Sequence, residues 1–285
     1  MGTRIATAAV LIAVVLLWLF VADYPIFTIG ALAAYALAAN EMAPLLGFKT
    51  KFPFLIAAAV AASLGFFFAP PGLFVLDVIP LWVNIMMVIA LAFWVVMLPV
   101  VRAFPNVQAF WVKPGLNFAF GLVLLLPFLF GLLILRAHHF ADDYNSGALL
   151  LLSVMVLVWA ADSGAYFTGR AMGKTKLIPN VSPNKTREGL YGGLVLALLA
   201  LSLLDYFGLY GDFGEDKLAL TCAGIGAILF SVLGDLVESM LKRHAGIKDS
   251  GRIFPGHGGM LDRIDSQLAA LPVFLGLHYL LGLVA

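Results

Sequence analysis

Two stretches of the sequence hold the side chains best suited to chemistry. In "GDLVESMLKR", residues 234–243, Asp235, Glu238, Ser239 and Lys242 follow the i, i+3, i+4, i+7 spacing that places side chains on one helix face. In "DRIDS", residues 262–266, Asp262, Asp265 and Ser266 repeat the first, second and third of those steps. A salt-bridged helix end is the ordinary explanation for the first stretch, and capping of free N–H groups explains one acid of the second. Neither accounts for acids at both ends of one loop that also holds Asp249. Carboxylates gathered without thiols or the paired histidines of a zinc site suit a hard cation such as magnesium, which commonly shares its shell with substrate phosphates.

The surrounding residues fit an anionic substrate. In "KDSGRIFPGHGGMLDR", residues 248–263, Gly256, Gly258 and Gly259 let backbone N–H groups approach an anion, while Lys248, Arg252 and Arg263 supply positive charge. His257, between those glycines, is the histidine placed to touch substrate. A second charged segment, residues 161–193, holds Asp162 near its start and contains "SPNKTREG", whose Ser182, Lys185, Thr186 and Arg187 could clamp a phosphate or a nucleotide. Its "GRAMGKT" sets Gly169 and Gly173 one residue too close for a P-loop, and no βαβ pattern surrounds it.

The elements that carry these residues follow from composition. The chain has 285 residues, 62% hydrophobic and 12% charged, with a mean hydropathy of +1.02, values that belong to an integral membrane protein. About 20 apolar residues of helix cross a hydrocarbon core, and about nine such runs occur: about 4–22, 26–46, 53–72, 78–100, 115–136, 147–168, 190–210, 217–241 and 266–285. The runs are continuous rather than alternating, so the expected fold is an all-α integral membrane protein of about nine transmembrane helices with a polar site at its cytoplasmic face. With nine spans, all of the 17 lysines and arginines except Arg136 and Lys217 fall on one side, which places the N-terminus in the cytoplasm and the C-terminus opposite. Residues 1–285 form a single polytopic domain, with 1–150 mainly scaffold and 151–285 the catalytic half. Glu41, beside Asn40 in the second span, either bonds to another helix or lines a lipid entrance, and the sequence leaves both open. The lone Cys222 excludes a disulfide within the chain. No nucleic-acid partner is expected.

Residues 239–266, "SMLKRHAGIKDSGRIFPGHGGMLDRIDS", closely resemble the signature of the bacterial phosphatidate cytidylyltransferases, or CDP-diglyceride synthases. The likeness extends to "GDLVES", "SPNKTREG" and "ADSGAYFTGR" and is weaker over the first half. It implies an inner-membrane enzyme that forms CDP-diacylglycerol and pyrophosphate from CTP and phosphatidate. It also implies magnesium, a second, monovalent cation such as K+, and a homodimer. By resemblance Asp235 and Asp262 are the first metal ligands, with Asp249 and Asp265 completing the polar cluster. Lys242, Arg243, Lys248, His257 and Arg263 would bind phosphates with Gly258 and Gly259, while Ser182, Lys185 and Thr186 would help to hold the nucleotide, with Ser239 and Asp162 nearby. Other magnesium-dependent membrane phospholipid transferases fit less well, because the "DGxxAR" core of the CDP-alcohol phosphotransferases is absent. A cation transporter would carry its acids at mid-membrane in two related halves, whereas here they crowd one edge.

Overall fold

The structure is a computed structural model that describes residues 2–69, 79–140, 142–256 and 258–282. His257 lies outside the described residues. In chain order the helices are α1 (Gly2–Phe20), α2 (Tyr24–Leu45), α3 (Phe52–Phe67), α4 (Leu81–Ala103), α5 (Leu116–Ala137) and α6 (Ser146–Met172). A two-stranded hairpin, β1 (Lys176–Ile178) and β2 (Ser182–Thr186), is followed by α7 (Arg187–Tyr206), α8 (Lys217–His244), the one-turn α9 (Leu261–Ile264) and α10 (Gln267–Gly282). Helices dominate because in hydrocarbon each backbone N–H and C=O has to be satisfied within the chain. Among the described residues six helices, α2 and α4 through α8, are long and apolar enough to cross a bilayer. The apolar helices Ala9–Phe20, Phe52–Phe67 and Gln267–Gly282 are shorter and lie within three further expected runs. The chain is an all-α integral membrane protein.

The chain divides into two compact units, each assembled from separated segments. The first comprises Met1–Pro80, Ala109–Ala148 and Leu241–Asp265. In it α2 packs against α3, α5 and α9. Tyr35 donates its hydroxyl proton to the Ala58 carbonyl at 3.0 Å, and Tyr24 donates to that of Leu133 at 3.1 Å. Arg136, fully buried, donates to the carbonyls of Leu19 (3.0 Å), Tyr144 (3.2 Å) and Ala22 (3.4 Å). Its guanidinium also lies 4.9 Å from the ring centroids of both Phe140 and Tyr144. A buried cation is tolerated there because carbonyl dipoles and aromatic faces replace its hydration.

The second unit comprises Leu81–Gln108, Leu149–Met240 and Ser266–Ala285. Here α4 packs along α10, while Phe274 stacks with both Phe213 and His278, and the His278 Nε2 lies 3.4 Å from the Phe213 carbonyl. Helices α6 and α7 cross on small residues. A Cβ added at Gly164 would come within 2.6 Å of the Gly192 carbonyl oxygen, and one at Gly193 within 2.5 Å of that of Ala161. The row Ala161, Ala165, Gly169 faces Gly189 and Gly193, the four-residue spacing of close-packed membrane helices.

Candidate active site

The tight α6–α7 crossing positions the first cluster. It leaves only the short turn after α6 and the hairpin between the two helices, and Glu188 ties the turn down by accepting the N–H groups of Lys174 (3.0 Å) and Thr175 (3.1 Å). Strand β2 runs antiparallel to β1, with Ser182 opposite Ile178 and Thr186 opposite Lys176. Thr186 is the N-cap of α7, its Oγ1 accepting the Gly189 N–H at 3.1 Å, so the strand ends where the helix begins. Lys185, one residue earlier, puts Nζ 2.7 Å from Oδ2 of Asp235 on α8. The other oxygen of Asp235 accepts the Ser239 hydroxyl at 3.2 Å, as the i, i+4 spacing predicts. These residues border a cavity of about 530 Å³. Asp162, Arg170, Asn184, Lys185 and Asp235 contribute polar groups to its lining, while Leu190, Leu194, Ile228 and Val232 contribute hydrocarbon. A single cavity thus offers both a charged and an apolar wall.

The second cluster forms where the last turn of α8, the loop 245–260 and α9 meet α2. Lys242 Nζ lies 2.6 Å from Asp262 Oδ1, in a pair whose side chains are only 11% and 7% exposed. Oδ2 of Asp262 accepts three bonds, from the Ser250 N–H (2.9 Å), the Ser250 hydroxyl (2.9 Å) and the Gly259 N–H (2.8 Å). Burial pushes the Asp262 carboxyl upward, but the hydrogen bond from Lys242, the Gly259 N–H, the Lys242 charge and the Ser250 bond together hold it down at about 2. Glu41, only 4% exposed, completes the cluster from α2. Its Oε1 accepts the Met260 N–H at 3.1 Å, and its Oε2 accepts the Leu261 N–H at 2.8 Å and the Ser250 hydroxyl at 3.0 Å. Gly251 and Gly259 must lack a side chain here, because a Cβ on either would collide with the Glu41 carboxylate. Gly258, at φ +81°, makes the left-handed turn that brings the chain back onto Asp262.

A sequence model of the cytidylyltransferase family matches residues 2–281. The chain belongs to that family. Among its relatives, a phosphatidate cytidylyltransferase of Pseudomonas aeruginosa is 40% identical over 282 residues, 98% of this chain and 97% of the relative. One of Haemophilus influenzae is 46% identical over 195 residues, 67% of each chain. Another, of Bacillus subtilis, is 45% identical over 149 residues, 51% of this chain and 53% of the relative.

In this cytidylyltransferase the residues singled out by sequence fall into three groups. Asp235, Ser239, Lys185, Thr186 and Asp162 belong to the cavity and its border in the second unit. Lys242, Asp262, Gly258 and Gly259 belong to the cluster in the first. Arg243, Lys248, Asp249 and Arg263 are exposed, Ser182 is half-buried at the start of β2, and Asp265 is half-buried beyond α9. The sequence reading left the partner of Glu41 open between another helix and a lipid entrance, and the structure shows it bonded to the loop and to the start of α9; Ser250 and the Met260 and Leu261 N–H groups were missed. The Thr186 cap was detectable, since threonine directly before a helix is a standard start signal.

Proposed function

We propose that this cytidylyltransferase transfers the cytidylyl group of CTP to phosphatidate, giving CDP-diacylglycerol and pyrophosphate, and that the Asp235 and Asp262 clusters carry the reaction. The observation that most directly supports this reading is the similarity to a phosphatidate cytidylyltransferase over 98% of the chain. The cavity agrees in chemistry, because a phospholipid needs both a cationic wall, here Arg170 and Lys185, and an apolar one. A phosphate oxygen of phosphatidate attacks the α-phosphorus of CTP. The bond from that phosphorus to its bridging oxygen breaks, and the oxygen leaves on pyrophosphate with the electron pair. The attacking phosphate is already ionised at neutral pH, so no strong general base is required. The remaining work is alignment and charge neutralisation, which cationic side chains and glycine N–H groups perform.

Magnesium is the proposed metal, with Asp235 and Asp262 as the first candidate ligands and Asp249 and Asp265 as further candidates. The donor set fits a hard cation: each of the first two carboxylates already takes a lysine ammonium, and Ser239 and Ser250 offer hydroxyl oxygens. A bound magnesium ion supplies charge neutralisation to phosphate oxygens as the bond order shifts. A second, monovalent cation such as K+ belongs to the same reading, and undiminished activity after complete exchange of K+ for tetramethylammonium would remove it. So does a homodimer, which a monomer mass by light scattering in detergent would overturn. Charge sorting supports a multi-pass protein of the inner membrane with a cytoplasmic N-terminus and the C-terminus on the other side.

The deciding experiment gives purified protein labelled CTP, phosphatidate and magnesium. Label should enter the lipid with release of pyrophosphate, and chelation should stop both. Absence of lipid label under these conditions would overturn the assignment.

A further inference from the structure

We propose that Glu41 is a positioning residue for the Asp262 site, an inference that rests on Asp262 being part of the reacting machinery. Glu41 lies on α2, far from Asp262 in sequence, yet it holds the turn before Asp262 by two backbone N–H groups, those of Met260 and Leu261. It also shares one hydroxyl with Asp262. The Ser250 oxygen lies 3.0 Å from Glu41 Oε2 and 2.9 Å from Asp262 Oδ2, so its single proton can be donated to either carboxylate. Oδ2 of Asp262 is thereby fixed by Ser250 and Gly259, and Oδ1 is left to face the Lys242 ammonium. The loop is shaped around this carboxylate, since a side chain at Gly251 or Gly259 would occupy its place.

A side chain with two acceptor oxygens suits this position because all three groups bonded to it are donors. Glutamine has nearly the same shape but only one acceptor oxygen, so its amide NH2 must confront either the Met260 N–H or the Leu261 N–H and Ser250. The turn would stay folded on its glycines and the Lys242–Asp262 pair, while Asp262 would lose the bond network that fixes its angle. Small misplacements of a reacting group have large effects on rate and small ones on binding.

The test uses the full-length protein in detergent with CTP varied at saturating phosphatidate, comparing Glu41→Gln, Ser250→Ala, the double variant and Asp262→Asn. Glu41→Gln should lower kcat about tenfold, with KM for CTP within about twofold, and should lower the melting temperature only modestly, by the cost of one buried donor left facing another. Because both lesions act on one bridge, the double variant should lose much less than the product of the single losses. A merely structural role would multiply with Ser250→Ala, and that result overturns the proposal. A wild-type kcat in Glu41→Gln beside an inactive Asp262→Asn also overturns it and leaves the site standing. Wild-type rates in Asp262→Asn would instead overturn the reading of the site, and the positioning role with it. Should Glu41→Gln fail to fold, Ser250→Ala decides alone: reduced kcat at constant KM supports the proposal, and wild-type kcat overturns it.

Discussion

Lys185 Nζ and Asp235 Oδ2 lie 2.7 Å apart, joining the β hairpin to α8 at the edge of the cavity. Both side chains are about three-quarters buried, at 25% and 28% exposed, so the pair is neither a screened surface bridge nor a fully desolvated one. Lys185→Ala should therefore act on the reaction more than on the fold. We expect cytidylyl incorporation to fall roughly 10- to 100-fold, the scale of a lost charge-stabilising group. Lys185→Arg should restore only part of it, because a planar fork does not replace a point charge on one carboxylate oxygen. Wild-type rates in Lys185→Ala would remove this lysine from the site.

Asp262→Asn should be more severe. The amide can still accept one or two of the bonds from Ser250 and Gly259, but it no longer offers negative charge to Lys242, and incorporation should fall roughly 100-fold or more. An unchanged rate would sink the assignment of that residue.

The same carboxylate carries a pH signature. Its value in the folded protein, about 2, lies below its ordinary 3.8, so the stabilisation it provides is fully present above about pH 4 and is lost as pH falls toward 2. In chelator-containing detergent, the melting-temperature gap between wild type and Asp262→Asn should be flat above pH 4 and should narrow below it. A gap that closes already between pH 7 and 5 would contradict this origin.

The α6–α7 crossing has no room for side chains. Gly193→Val should overpack it against the Ala161 carbonyl, with a loss of about 1–3 kcal/mol and a lower melting temperature. Gly208→Ala, where nothing lies within 4 Å of the added carbon but φ is +70°, separates backbone strain from packing and should cost less. Thermal unfolding of the two purified variants measures the difference, and equal losses would argue against the crossing.

Orientation is testable by labelling. With half-buried Cys222 replaced by alanine, Arg252→Cys should react with an impermeant maleimide in inverted vesicles, and Glu215→Cys in right-side-out ones. Both parent residues are exposed, so accessibility is not limiting. The reverse pattern would invert the proposed topology.

Much of this protein could be read from its residues in order. Apolar runs mark helices because the bilayer sets their length and demands internal hydrogen bonding, and that requirement is local in sequence. The Asp235–Ser239 contact was legible for the same reason, since a helix fixes the distance between residues four apart. The hairpin was not: β1 and β2 form in a polar segment with no alternating pattern, held by the turn tied to Glu188 and by the Thr186 cap. The α6–α7 crossing lay in between, because the four-residue spacing of small residues is visible in each helix, yet their pairing depends on which helices meet.

Glu41 marks the limit. As one acid in an apolar helix it was compatible with any partner, and its partners include backbone N–H groups, which every residue but proline possesses and no side-chain pattern reveals. The sequence by itself determined that acids, lysines and glycines would gather after residue 160, because helical periodicity and charge spacing are short-range. Only the tertiary structure decided that Asp262 is held through Ser250 by a carboxylate from α2, because helix packing brings together groups more than 200 residues apart, Ser250 and Glu41 being separated by 209.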